Sequence, residues 1–253
     1  MLRYLFVPER DLPAGVGFER FGPEHLMVLA VLAVLSAGIT AWGCRMKERG
    51  RIRLLRTMAG IMVALEIWKD GMLAGMGSFS VGYLPLHLCS IAMFLCLWFA
   101  WRPGSDLAGQ LVWSVCFPAG VAALLFPDWT NMPLLQFQSL HSFLYHGMLI
   151  QFALIAVISG QIRPRIGHAW KTVLFLIVLA AGVYGINLRL GTNFMFLNHP
   201  LPGTPLMLCA HLPGRWGYLA GYGLLAAGII LLTDLPFFLW NRVRSRKRSI
   251  DKM

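Results

Sequence analysis

Charged residues are scarce in this sequence. Only 13% of its 253 residues are Asp, Glu, Lys or Arg, whereas a soluble globular domain carries about 25%. That deficit excludes an ordinary water-soluble fold. Strict alternation of apolar and polar residues is also missing, which excludes the strands of a membrane barrel. Cysteine is sparse and odd in number: Cys44, Cys89, Cys96, Cys116 and Cys209 show no Cys-x-x-Cys spacing. Neither a disulfide framework nor a zinc site is expected, and packing as small hydrophobes accounts for most of them. The first residues, "MLRYLFVPERDLPAG", lack a sustained apolar core and a small-residue cleavage site. No signal peptide is therefore expected, and the first span takes over targeting. Linkers, low-complexity tracts and internal repeats are absent, so residues 1–253 read as a single domain.

Apolar sequence is what remains. The chain is 57% hydrophobic with a mean hydropathy of +0.64, and crossing the hydrocarbon core takes about 20 mostly apolar residues. Seven stretches qualify: 25–44, 54–76, 84–101, 107–126, 134–158, 170–190 and 216–239. Helices are the only spanning solution for such runs. The formal charge of +11 could suggest nucleic acid, but the basic residues sit at span ends with no aromatic-interleaved groove, so no nucleic-acid partner is expected. Arg45, Lys47, Arg49, Arg51, Arg53 and Arg56 follow span one, Arg102 span three, and Arg163, Arg165 and Lys171 span five; the tail 241–253 is basic too. By the positive-inside rule these are cytoplasmic, the N-terminus is outside and the C-terminus cytoplasmic. The expected fold is all-α, a polytopic bundle of seven transmembrane helices.

Against this background the run "VALEIWKDGMLAG", residues 63–75, stands out. An ionised side chain facing lipid at mid-membrane costs roughly 3 kcal/mol even on lenient scales, so Glu66, Lys69 and Asp70 must face something else. A rise of about 1.5 Å per residue sets their depth. They fall from mid-membrane to the outer half, level with His87 on span three, His141 and His146 on span five, and Asn187, Arg189, Thr192 and Asn193 at the end of span six. Gln138, His141, Ser142 and Tyr145 share one helical face, with Ser139 and His146 at its edge. Lys69 can neutralise one carboxylate of its own helix, and the other then wants His87, His141 or Arg189. An adhesive buried network is the plainer reading, but so many ionisable and amide groups exceed what adhesion needs. An outward polar cavity is expected, with Glu66, Lys69, Asp70, Gln138, Tyr145, Asn187 and Asn193 as substrate-binding candidates.

In "YLPLHLCSIAMFLCLW", pairing His87 as base with Cys89 as nucleophile is tempting. In a regular helix two residues apart point about 200° from each other, so the pair requires a break at Pro85, or a histidine from span five. His141 and His146 diverge by about 140°, which does not suit a shared metal ion. No metal and no cofactor is expected. The longest connection, "GTNFMFLNHPLPGTPLMLCAHLPGR", is apolar for a loop. It is read either as a lid folding back over the outer mouth or as a passive connector. Asp234 is placed near the cytoplasmic interface, outside the cavity.

"LPLHLCSIAMFL", "SLHSFLYHGMLI" after "FPDW", and "GTNFMFL" occur in that order. With these motifs the chain resembles the YwaF-type family of bacterial integral membrane proteins over spans two to six. More distantly it is similar to the eukaryotic transmembrane protein 164 acyltransferase, which moves acyl chains between phospholipids using a Cys and a His. The resemblance implies a multi-pass protein of the bacterial cytoplasmic (inner) membrane with membrane lipids as partners. The relative has Cys directly before the first-motif His, where this chain has Leu86 before His87, so the thiol does not carry over.

Three functions follow. The first is an acyltransferase or acyl hydrolase acting on lipid esters, with His87, His141 and His146 as candidate bases and Cys89, Ser90, Ser142 or water as nucleophile. Lys69 or Asn193 would polarise the carbonyl. The second is a carrier or receptor for a small solute. The third is a structural membrane protein.

Overall fold

The computed structural model describes residues 2–250, with side chains described through Leu239. The side chains of the basic tail 241–253 therefore lie outside the described residues. The described chain is helical, without strands. Its main helices are α1 (Pro23–Arg45), α2 (Glu48–Gly75), α3 (Leu88–Trp101), α4 (Asp106–Leu111), α5 (Phe117–Leu125), α6 (Phe137–Ile158), α7 (Ala169–Leu190), α8 (Leu206–Cys209) and α9 (Gly214–Ile250). Six helical segments are long and apolar enough to cross a membrane: 23–45, 81–101, 106–125, 137–158, 166–190 and 214–239. The seventh expected span, α2, is a helix of 28 residues whose charges keep it outside that group by composition.

Helix boundaries follow local chemistry. α3 starts at Leu88 rather than at residue 84, because a proline disfavours helical backbone at the residue before it. Leu84, before Pro85, is accordingly extended (ψ 143°), residues 84–87 stay outside the helix, and His87 is the extended N-cap (φ −70°, ψ 151°). Between α4 and α5 the chain widens into a π-helical turn, Val112–Cys116. Pro118 follows, whose ring would crowd the carbonyl of Ser114 in a regular α-helix. Gln136 caps α6, its side-chain oxygen accepting from the backbone N–H of Gln138 (2.6 Å) and Ser139 (3.2 Å). α7 stops at Gly191, which takes the left-handed conformation (φ 66°) common just past a helix end.

α6 is the most buried spanning helix and packs against α1, α2, α3 and α5. α7 and α9 flank this core and pack mainly on each other. The N-terminal residues and the loops before α3, before α6 and after α7 converge at one end of the bundle, the capped end. Arg10 donates to the carbonyls of Gly77 and Met76, and the backbone N–H of Phe137 donates to Leu5 O. Arg20 donates to the carbonyls of Pro127, Pro202 and Gly203, tying three segments together. The 191–215 loop folds back over this end, with Phe196 and Leu201 reaching the cavity described next.

Candidate functional site

A cavity of about 370 Å³ opens under the capped end. Its wall includes Glu66 and Lys69 of α2, His87, Cys89 and Ser90 from the start of α3, and Gln138, His141, Ser142, Tyr145 and His146 of α6. Ten of the thirteen expected site residues therefore surround one recess. The other three do not. Asp70 stands behind Lys69, 3.2 Å from its Nζ, and does not line the cavity. Asn187 is fully buried and organises the loop after α7, accepting from Phe194 N and Thr192 Oγ1 and donating to Phe194 O. Asn193 does the same further on, accepting from Asn198 N and His199 N. Arg189, considered as a counter-ion, is exposed at the end of α7.

Within the cavity Lys69 Nζ lies 2.8 Å from Glu66 Oε1, and its ammonium stands over the Tyr83 ring. Ser90 Oγ donates to the same carboxylate oxygen at 3.4 Å. The second oxygen, Glu66 Oε2, is 3.6 Å from His141 Nε2. That is too long for a hydrogen bond, and His141 Nε2 has no other partner among the described residues. A proton on His141 would turn this near-contact into an ion pair.

His146 is held differently. Its Nδ1 lies 2.6 Å from the carbonyl oxygen of Ser142. A carbonyl only accepts, so Nδ1 carries the proton and Nε2 of the neutral ring keeps a lone pair. Trp129 stacks on the ring at 5.3 Å between centroids and 8° between planes, and Tyr145 meets it edge-on. Position and tautomer are both fixed, as a general base requires. His87 stands between Phe194 and Phe196.

His87 and Cys89 line the same recess, which a regular helix through 84–101 would have forbidden. The break at Pro85 is what permits it. The Cys89 thiol makes a weak contact to Ala119 O at 3.9 Å, and its carbonyl accepts from Tyr145 Oη. Among the described residues, no three His, Cys, Asp or Glu side chains converge as metal ligands.

Among the wall residues that escaped sequence reasoning are Glu9, Tyr83, Asp128 and Trp129. All lie outside the expected spans, where hydropathy is silent. The one available signal was the "FPDW" run itself, an acid and an aromatic held beside a proline. Asp128 keeps exposed surface, yet desolvation by the protein around it pushes its carboxyl above the ordinary value of 3.8; its backbone hydrogen bond and Arg20 oppose the rise and Glu9 adds to it.

A second polar cluster was also missed. Asp234 is 0% exposed, so its carboxylate turns into the protein instead of reaching out to the interface. Its Oδ2 accepts from Gln110 Nε2 (2.7 Å) and its Oδ1 from Ser114 Oγ (3.1 Å). Gln110 Oε1 in turn accepts from Arg165 N. The signal was Gln110 and Ser114 at i, i+4 in an otherwise apolar run.

No curated protein and no solved structure matches the chain. A family model does, that of the TMEM164 family, over residues 20–234. The match takes in α1 to α7, the folded-back loop and α9 as far as Asp234, and so every element that walls the cavity except the N-terminal segment bearing Glu9. The chain is a multi-pass membrane protein and belongs to the TMEM164 family.

Proposed function

We propose that the protein is a membrane enzyme acting on lipid acyl esters, as an acyltransferase or acyl hydrolase. In this reading α2 is a seventh span and the capped end with the N-terminus faces outward. The C-terminus is cytoplasmic, and the membrane is the bacterial cytoplasmic one. The charge asymmetry of the loops supports the orientation.

One observation carries the enzymatic reading. The polar cavity shares part of its wall with an apolar compartment of about 290 Å³, bounded by α5, α9 and the folded-back loop. His87, Cys89, Ala123, Phe126, Phe196 and Leu201 belong to both. An ester joins an apolar chain to a polar head, and this shared wall is where such a bond would lie. The His146 Nε2 lone pair would take the proton of an attacking hydroxyl, thiol or water. Lys69 would stabilise the oxyanion, and the departing glycerol oxygen would take the proton back from His146.

Turnover of a phosphatidylcholine with a labelled acyl chain, by protein reconstituted in nanodiscs, tests the reading. Labelled fatty acid or acyl transfer to added lysolipid is expected, and His146→Ala abolishes it. No product from any glycerolipid, with folded protein, overturns it. A carrier would need polar groups leading on through the membrane. The Asp234 cluster does lie deeper, but the apolar compartment intervenes. Solute flux that depends on Glu66 would favour the carrier.

A further inference from the structure

The apolar compartment beside His87 has an apolar neighbour. Leu88, Leu176, Met195, Tyr222, Ala226 and Ile230 line it, and the same six residues line a larger cavity of about 800 Å³ in the seam between α7 and α9. The seam is kept open by its sequence. Small residues, Ala180 and Ala181 on α7 and Ala220, Gly223 and Ala227 on α9, face it. At the capped end the helices are propped apart by the folded-back loop, whose Phe194, Met195 and Leu197 pack with Val183, Leu219 and Tyr222. Tyr218 Oη and Tyr222 Oη donate to the Phe196 and Met195 carbonyls at 2.6 and 3.0 Å and fix the prop to α9. Met195 and Phe196 both hold positive φ (56° and 55°), a conformation non-glycine residues adopt only under constraint.

Two apolar arms thus adjoin behind the wall that carries His87. One runs between α5 and α9, the other along α7 and α9. We propose that the α7–α9 seam is a binding site for the second hydrocarbon chain of a two-chain lipid whose first chain occupies the compartment beside His87. The inference rests on the lipid-ester reading above and extends it to the shape of the substrate. Adjacency favours this occupant over a second copy of the chain: the seam and the compartment behind His87 lie on either side of the same six residues, five of them apolar, with Tyr222 turning its hydroxyl to the Met195 carbonyl. A chain gains little energy on leaving bilayer for seam, since lipid tails are as apolar as leucine. The gain is positional. With both chains seated, the ester can no longer rotate away from the shared wall.

Gly223 gives a clean test, because a Cβ added there meets nothing within 4 Å, so Gly223→Leu brings its side chain into the seam from an unobstructed position. Gly182→Leu on α7 is the matched control: a Cβ there also meets nothing within 4 Å, and Gly182 lines neither the seam nor the compartment. The protein is placed in nanodiscs containing phosphatidylcholine with a photoactivatable diazirine on the terminal carbon of one chain. Cross-linked residues are mapped by mass spectrometry. Seam labelling at Leu219 and Ala220 is expected to exceed labelling at the lipid-facing Val34 of α1. Gly223→Leu lowers the seam signal about tenfold and leaves Val34 unchanged, while Gly182→Leu changes neither. Lysophosphatidylcholine with the same diazirine labels the compartment at Ile229 in wild type and in Gly223→Leu alike. Equal labelling of seam and Val34, indifferent to Gly223→Leu, overturns the proposal, as does a cross-linked dimer joined through the seam. Labelling without turnover sinks the reaction and spares the seam. Turnover with flat labelling does the reverse.

Discussion

Two buried polar clusters occupy this bundle, and they differ in how completely they are satisfied. Around Asp234, Gln110 and Ser114 fill both carboxylate oxygens, and the backbone of Arg165 occupies the remaining amide oxygen. Around Glu66, the carboxylate is only 6% exposed, yet His141 Nε2 stops 3.6 Å short of it and His146 Nε2 keeps a free lone pair. A closed network has nothing left to offer a ligand, whereas an open one keeps donors and acceptors that cost free energy until something occupies them. The first is adhesive and the second is available for chemistry.

Substitutions can break that contrast. The largest effect is expected at His146, where His146→Ala should lower lipid turnover by roughly 10²- to 10⁴-fold, the range for loss of a general base. The ring makes a single hydrogen bond, to its own helix, so the drop in thermal midpoint in detergent should come from the lost Trp129 and Tyr145 ring contacts alone and leave the protein folded at assay temperature. Asp234→Ala should do the opposite. It leaves the Ser114 hydroxyl and one Gln110 amide hydrogen without an acceptor in the interior, while Gln110 keeps its bond to Ser114 Oγ, and should cost about 2 kcal/mol by thermal unfolding, with turnover per folded molecule kept. If Asp234→Ala silenced folded protein, the division between the clusters would be wrong. Glu66→Gln comes next. Lys69 retains Asp70 at 3.2 Å, so a loss of about 1 kcal/mol is expected, less than at Asp234, with reduced turnover. Equal destabilisation at Glu66 and Asp234 would mean that both clusters serve adhesion.

The sequence made the first cluster legible and hid the second for one reason. Charges in an apolar run announce themselves, so Glu66, Lys69 and the α6 histidines could be placed at one depth from rise alone. Gln110 and Ser114 carry no charge, and Asp234 close to a predicted span end looked solvated. Only packing brings α4, the π turn and α9 together. The same limit applies to loops. Asn187 and Asn193 sit at the right depth, but their amides turn to the backbone of the 191–199 segment, a choice no periodicity encodes. His87 is the instructive intermediate: Pro85 was visible, and the helix break it causes reverses the geometry that spacing alone gave to His87 and Cys89.

The smallest expected effect lies where the open cluster meets solvent. Asp128 keeps surface open at the cavity rim, with protein on most other sides. Burial raises its pKa above 3.8, Glu9 reinforces the rise and Arg20 counters it. A carboxyl whose folded pKa is raised contributes stability that is fully present below its unfolded pKa and is lost as pH climbs through the folded value. Wild-type protein should therefore lose a little thermal stability as pH rises upward from about 3.8, and Asp128→Asn should remove that part of the slope. The closed cluster supplies the control: Asp128 shares none of its hydrogen bonds, so Asp234→Ala should leave the Asp128 portion of the slope in place. A slope unchanged in Asp128→Asn would show that the carboxyl is solvated on both sides of the folding transition, and that the recess is wetter at its mouth than the burial of its wall implies.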